Sequence, residues 1–422
     1  SATLSAPMEI AYIVSQYPAR SETFIAREME HLHVRGHHLL IAPLRWSDTG
    51  EGIRAKGADV LGLHWNPLDW VLSLAWAIAR RPQRVVQMGR DIHTAPLFSD
   101  LWWRLLVLSL VSLALARELN DRPVDHLRAH FLDSEAIAAY WIGRLLDVPF
   151  STTVHTQSTR FPTPLLQRVA QATAFCAAIS GEAKRMEGDL TGGHARTVVI
   201  RNGVTPPDSV HHLQSGPLTP PKWRLLAVGR LVEKKGFDTL LDACALLRAW
   251  GRPFRCDIIG DGPCRDRLTE HARRLRIERH VTFYGAQPNH EVYRALRQHD
   301  VLVAPCRLAS DGDRDGLPTV LMEALSCGVP VVASAFAAIP ELVMDGKTGR
   351  LVPPDAPVAL ARTLRRLFDR PRHALRMGRR GREEVRRHFR LEREVETLDA
   401  WIRTTSRASA LKRSRERAHS LN

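Results

Sequence analysis

The stretch Asp311-Gly-Asp-Arg-Asp-Gly-Leu-Pro-Thr-Val-Leu-Met-Glu-Ala-Leu-Ser-Cys-Gly-Val-Pro-Val-Val-Ala-Ser334 limits the possible folds of this chain more than any other. It begins as a polar, glycine-containing loop. Pro318 stands where a helix opens, because its missing N–H costs nothing there. Residues 319–326 read as a short helix, Gly328 suits a positive-φ C-terminal cap, and Pro330 forbids continuation. Residues 329–333 then read as a buried parallel strand. A loop, a helix and a parallel strand in that order belong to an open α/β sheet, with the helix N-terminus facing the loop. Free amides and a positive dipole end favour anionic or hydroxyl-rich ligands there. Asp315 lies in the loop and Glu323 about 7–8 Å into the helix, at ~1.5 Å of rise per residue. Two carboxylates so spaced can hold two parts of an extended polyhydroxy ligand, although a carboxylate in Glu323's place can also be a solvated helix charge.

The same alternation runs through the rest of the chain. Strand-like segments at 9–15, 38–43, 124–131, 150–156, 173–180 and 198–201 are interleaved with helical patterns at 23–35 and 134–146. A second series has strands at 224–229, 255–259, 281–284 and 301–305, and helices at 237–250, 264–275 and 290–298. Segments at 341–343 and 349–352 close it, followed by helices at 356–368, 372–387 and 391–403. Such alternation implies doubly wound sheets, and 422 residues suffice for two domains with separate cores. Residues 206–221 contain five prolines and little periodicity, marking a linker. The expected organisation is residues 1–205, the linker, residues 222–390, a last helix over 391–403, and a basic tail, 404–422, expected to be disordered.

Six scattered cysteines without a Cys-x-x-Cys pair imply a reducing compartment and no structural metal. Residues 1–7 lack the basic and apolar regions of a secretory signal, so a cytoplasmic protein is expected. The formal charge of +15 seeks anions: nucleotides, lipid headgroups or nucleic acid. The last is disfavoured, because the basic residues cluster in C-terminal helices without interleaved aromatics.

The Asp315-x7-Glu323 spacing resembles the acidic-x7-acidic signature of retaining glycosyltransferases of family 4, which have the GT-B fold: two Rossmann-like domains facing across a cleft. The resemblance implies that Glu323 holds the ribose of a nucleotide sugar. It places Asp315 near the transferred sugar, with the loop at Gly316, Leu317, Pro318 and Thr319 beside it. The family usually has Glu at the first position, so Asp315 is one methylene shorter. Gly229-Arg-Leu-Val-Glu-Lys-Lys-Gly236 resembles the family's Gly-Arg-x4-Lys-Gly motif, implying that Arg230 and Lys235 neutralise the diphosphate. Fixed cations there stabilise charge that builds as the glycosidic bond breaks, and no metal or other cofactor is expected. Ile259-Gly-Asp-Gly-Pro263 fails as a dinucleotide fingerprint, since Arg265 stands at the third glycine position. In the family the corresponding turn lies near base and ribose, which makes Gly260 and Gly262 candidates. His155 matches the family's active-site histidine, with His130 on the same side. The segment containing Ser21, Glu22 and Thr23 resembles the Pro-x-x-Ser-Glu-Thr-Phe turn of bacterial polysaccharide members, placing these residues on the acceptor side or, equally, at a helix cap. The helix at 391–403 resembles the family's last helix, which packs back on the N-terminal domain.

The expected partners are a nucleotide sugar, a saccharide or lipid-linked acceptor and an anionic membrane surface, without nucleic acid. Attachment would be peripheral, on the inner face of the cytoplasmic membrane. Residues 68–80 and 97–117 are unusually rich in Leu, Val, Ala and Trp. The apolar run 105–116 is shorter than the ~20 residues that span a bilayer. It is either buried in its domain or lies against a membrane, as Trp102, Trp103 and flanking Arg suit.

Overall fold

In the computed structural model, which describes residues 6–17, 23–46, 55–62, 66–155, 161–206 and 223–420, the strands form two parallel sheets, one in each of two units. The first unit comprises residues 1–201 and 392–422, the second residues 202–391.

The first unit holds β1 (Glu9–Tyr17), β2 (His38–Trp46), β3 (Ala58–Val60), β4 (His126–His130), β5 (Phe150–Val154), β6 (Phe175–Ala178) and β7 (Thr197–Val199). Their order is β3-β2-β1-β4-β5-β6-β7, with every pairing parallel. The strand order reverses between β1 and β4, which opens a crevice at their carboxyl ends. The run 105–116 takes its buried reading: Leu105, Leu108, Val111, Leu113 and Leu115 of helix Asp100–Leu119 lie in the core of this unit. Helix Leu391–Ser420 packs here too. His37 and Arg35 each contact Asp399 at 3.0 Å, and Ser406 lies 3.1 Å from His126. The residues expected to form a disordered tail continue this helix to Ser420, correcting the compositional reading. Arg, Ala, Leu, Lys and Glu propagate a helix without apolar periodicity.

The second unit holds β8 (Trp223–Val228), β9 (Phe254–Ile259), β10 (Val281–Phe283), β11 (Val301–Ala304), β12 (Val331–Ser334) and β13 (Arg350–Val352), in the order β10-β9-β8-β11-β12-β13. All pairings are parallel, and the order reverses between β8 and β11. The boundary expected after residue 205 falls earlier. Val204 forms a bridge with Arg390 and donates its N–H to Phe389 O at 2.9 Å, which ties 202–206 to the second unit. Past residue 206, the proposed linker lies outside the described residues. Residues 341–343, read as closing the strand pattern, instead end the short helix Ile339–Leu342.

Helix Thr319–Ser326 has the boundaries that its sequence signals imply, with Pro318 as its N-cap rather than its first helical residue. Residues 320–326 are all buried, and apart from Glu323 and Ser326 they are apolar, as a helix enclosed on every side requires. Helix Pro371–His388 lies so close that a Cβ on Gly378 would sit 2.1 Å from Gly328 O, and one on Gly381 2.4 Å from Leu325 Cδ2. This packing fixes the direction in which the first turn of 319–326 points.

Candidate functional site

In the second unit the functional groups gather where the strand order reverses. The basic turn Glu233–Lys235 follows β8, and the acidic loop follows β11. Gly236, at φ +63°, joins the turn to helix Phe237–Ala249; a Cβ there would meet Pro305 O at 1.9 Å. Only glycine lets the turn lie against the end of β11. The consequence is electrostatic: Lys235 Nζ lies 2.7 Å from Asp315 Oδ2, and Lys234 Nζ lies 2.9 Å from Asp313 Oδ2 and 3.7 Å from Asp315 Oδ1.

Burial would raise the Asp315 carboxyl, but Lys235 and then Lys234 hold it below the usual carboxylate range. Burial opposes the charge on Lys235 as well, and Asp315 outweighs it, raising the ammonium above its ordinary value. The neighbouring Cys306 thiol hydrogen-bonds to Asp315 Oδ2 at 3.5 Å, and burial pushes it up to about 12, so it stays protonated. Arg230 is exposed, close enough to Lys235 for the two charges to repel. Lys235, held charged beside this loop, is a group an incoming phosphate can engage.

The loops after β8 and β9 are laced together. Leu231 N–H donates to Asp261 O and Cys264 N–H to Leu231 O, each at 2.9 Å. Gly260 sits at φ +144°, where a Cβ would be 1.9 Å from Gly229 O, and one on Gly262 would be 2.6 Å from Leu231 O. Gly229 itself leaves room for the Lys235 stem, 3.2 Å from where its Cβ would be. Gly316, Leu317, Pro318 and Thr319 lead directly into the helix, and Leu317 is buried. Glu323 is 5% exposed, which removes the solvated-charge reading, and accepts a hydrogen bond from Asn289 Nδ2 at 3.3 Å. Asp311 accepts the Asp313 N–H at 2.9 Å and Asp313 meets Lys234, so these two loop carboxylates, spaced as a metal-binding pair would be, both have partners within the protein.

The first unit brings its own polar group to the carboxyl ends of β4 and β5. His130 Nε2 lies 3.1 Å from Glu28 Oε1, and His130 Nδ1 lies 3.4 Å from His155 Nε2. Glu28 also accepts from Tyr12 Oη at 2.8 Å and from Arg128 Nε at 3.1 Å, while Arg128 Nη2 donates to Thr153 Oγ1 at 2.6 Å. Burial works against the Glu28 charge, but Arg128 and His130 overcome it and hold the carboxyl far below its ordinary value. Burial, followed by the His130 contact, pushes His155 well down, and burial pushes His130 down despite Glu28. Both imidazoles are therefore neutral at pH 7. An ionised Glu28 takes the Nε2–H of His130, whose Nδ1 then accepts from His155 Nε2–H, leaving His155 Nδ1 with its lone pair. The rings of Phe24 and Phe131 flank His155 at 4.8 and 4.6 Å.

His130 and His155 were thus identified from the sequence and do lie together. Thr23 opens helix Thr23–Val34, whereas Ser21 and Glu22 lie outside the described residues. Glu28 and Arg128, which tie this group together, were missed. The available signal was β4 itself: a fully buried parallel strand reads as continuous apolar sequence, yet His126, Arg128 and His130 occupy three of its five positions.

The chain matches the family described as "Glycosyl transferases group 1" over residues 212–384. It is 27% identical over 386 residues to the protein named as a colanic acid biosynthesis glycosyltransferase, WcaL, of Salmonella typhimurium, spanning 85% of this chain and 90% of that one. Among solved structures, sucrose-phosphate synthase from Thermosynechococcus elongatus superposes with a TM-score of 0.73 at 19% identity, over 95% of this chain and all of that one. HepE of Anabaena, solved with UDP and glucose, gives 0.69 at 16% identity, over 94% of this chain and all of that one. With two parallel Rossmann-like sheets and a group 1 domain in its second unit, the chain is a glycosyltransferase of the GT-B fold, similar to enzymes of the colanic-acid type.

Proposed function

We propose that the chain is a metal-independent, retaining glycosyltransferase of family 4 that moves a sugar from a nucleotide-sugar donor to a polysaccharide or lipid-linked saccharide. The observation that carries this reading is the Lys235–Asp315 pair, 2.7 Å apart, between the loops that follow the two strands flanking the switch point. In this reading Arg230 and Lys235 receive the diphosphate, and Glu323 holds the ribose from inside its helix. Gly229, Gly260 and Gly262 leave space for nucleoside and phosphates. Asp315 and the loop at Gly316, Leu317, Pro318 and Thr319 border the sugar. His155 stands beside the sugar, and Ser21, Glu22, Thr23 and His130 serve the acceptor side.

The reaction breaks the bond between the anomeric carbon and a phosphate oxygen, and its electron pair stays with the phosphate. The acceptor oxygen bonds to the same face of that carbon, and its proton passes to the departing phosphate. Arg230 and Lys235 act where negative charge grows, which is the role a divalent cation would otherwise fill. A nucleotide-sugar donor is supported by HepE, whose structure holds UDP and glucose, and a bacterial polysaccharide acceptor by the name of WcaL. The basic surface serves an anionic membrane rather than nucleic acid, with the protein held peripherally on the cytoplasmic face.

Calorimetric titration of UDP- and GDP-sugars in excess EDTA, with NMR of the product anomer, tests this reading. Donor binding without metal and an unchanged anomer are expected. Binding that appears only when Mg²⁺ or Mn²⁺ is restored assigns Asp311 and Asp313 to a metal and refutes the charge-neutralisation role.

A further inference from the structure

Helix Pro67–Arg80 is apolar on the side that faces solvent. Leu68, Val71, Leu72, Ala75, Ile78 and Ala79 are its exposed apolar positions, and their three- and four-residue spacing lines them along one face. Leu68 is 64% exposed, Val71 65% and Ile78 50%. The opposite face packs on the core of the first unit through Ala77, Trp70, Leu74 and Trp76. A helix of a soluble domain ordinarily carries polar residues on its outer face. A second apolar group follows at 97–103. Phe98 is 67% exposed, and its ring lies 5.5 Å from that of Trp102 and 6.4 Å from that of Trp103. Its φ of +59° is a conformation a bulky residue adopts only at a cost. Arg80 ends the helix, Arg81, Arg84 and Arg90 lie between it and the second group, and Arg104 follows that group, against the acids Asp69, Asp91 and Asp100; Asp91 is buried beside Arg168, and Arg81 is paired with Asp147.

We propose that helix Pro67–Arg80 and segment 97–103 form a docking face that lies in the interfacial layer of an anionic bilayer. This rests on the peripheral attachment proposed above and places it on this helix instead of the run 105–116, which is buried. The apolar stripe enters the headgroup–acyl boundary, and the arginines meet anionic headgroups. The face lies on the membrane without crossing it: among the described residues no helix is long and apolar enough to span a bilayer. The net positive charge around the stripe favours a lipid surface over a second copy, since two such faces would repel.

The test is co-sedimentation with phosphatidylcholine vesicles containing phosphatidylglycerol, at low and physiological salt. The wild type is compared with a Leu68→Gln, Val71→Gln, Ile78→Gln variant, a Phe98→Ser, Trp103→Ser variant, and Ala75→Trp. All these positions are exposed, and circular dichroism with light scattering checks folding and oligomeric state. Partitioning is expected to fall at least about tenfold in the Gln variant, fall in the Ser variant and rise severalfold in Ala75→Trp, since each exposed side chain contributes area to the buried stripe. Equal partitioning of wild type and Gln variant overturns the proposal, as does binding that salt abolishes equally in both. A wild-type dimer that ignores vesicles and dissociates in the Gln variant assigns the face to a second copy and overturns it too. Sugar transfer to a soluble acceptor reads the other reading separately. Its absence with vesicle binding intact refutes the transferase reading alone, and its presence without vesicle binding refutes the docking face alone.

Discussion

Replacing Asp315 by Asn should strengthen the binding of UDP, although it removes a residue placed in the site. Asp315 now supplies the negative charge at Lys235, 2.7 Å from its Nζ. A phosphate oxygen hydrogen-bonded to Lys235 would sit ~2.8 Å from Nζ, and so no more than about 5.5 Å from the carboxylate. Two unit charges at that distance repel by about 3 kcal/mol at an effective dielectric of about 20, and by less once solvent screens them. Asp315→Asn should therefore tighten UDP by about 1–3 kcal/mol, or ~5- to 150-fold. The unliganded protein should lose stability, because Lys235 stays mostly buried without a counter-charge. That loss should fall below the ~3–5 kcal/mol of a fully buried broken pair, because Lys235 and Asp315 keep 18% and 13% of their side-chain surface exposed. Calorimetry with UDP, which has no sugar, isolates the phosphate effect from any contact of Asp315 with the transferred sugar, and thermal unfolding with and without UDP gives the stability term. UDP binding equal to or weaker than wild type would refute the placement of the diphosphate at Lys235.

Glu323→Ala should weaken a nucleotide sugar by roughly 1.5–3 kcal/mol, the loss of a hydrogen bond to a charged group, and calorimetry with wild-type affinity would remove Glu323 from the donor site. His155→Ala should leave donor affinity nearly unchanged and cut transfer strongly; an unchanged transfer rate would make the residue structural. Glu28→Gln strands Arg128, which is 1% exposed, and should cost about 3–5 kcal/mol in chemical denaturation. Stability should also fall between pH 7 and 4: unfolded imidazoles take up protons below about 6.5 that buried His130 and His155 refuse, and the Glu28 contribution, fully present above its unfolded value of about 4.3, is lost as pH drops toward its depressed folded value. A flat stability curve over that range would contradict the buried network.

Much of the architecture was legible because the α/β alternation is written in local signals. Pro318, Gly328 and Pro330 bracket a helix that the structure places at Thr319–Ser326. The elements missed had weak signals. Strand β3 is three residues long, and two of them are exposed, so no apolar run announced it. Helix Pro82–Ile92 hides among arginines and glutamines, and its Pro82 at the first helical position was the one usable cue. The last helix was truncated because composition weighs hydrophobicity and charge, whereas its distal part is propagated by helix-forming residues that extend a segment already docked on the first unit.

The two polar groups differ in legibility for a topological reason. In the second unit the charged residues fall in two short stretches, the turn after β8 and the loop and helix after β11, so each stretch keeps a local pattern and a motif such as Asp315-x7-Glu323 stays readable, although the contact of Lys235 with Asp315 joins the two. In the first unit the group is assembled from β1, the helix after it, β4 and the residue that follows β5, with Tyr12, Glu28, Arg128, His130 and His155 separated by up to 143 positions along the chain. No local spacing encodes that set. What betrays it is the cost: a guanidinium and two imidazoles in the middle strands of a parallel sheet are tolerated only where each finds a partner, and here Glu28 and the hydroxyls of Ser151 and Thr153 supply those partners. A charged residue inside a strand that should be wholly apolar therefore carries more information about a site than the same residue in a loop, because burial without a partner would be prohibitive and the partner must come from elsewhere in the fold.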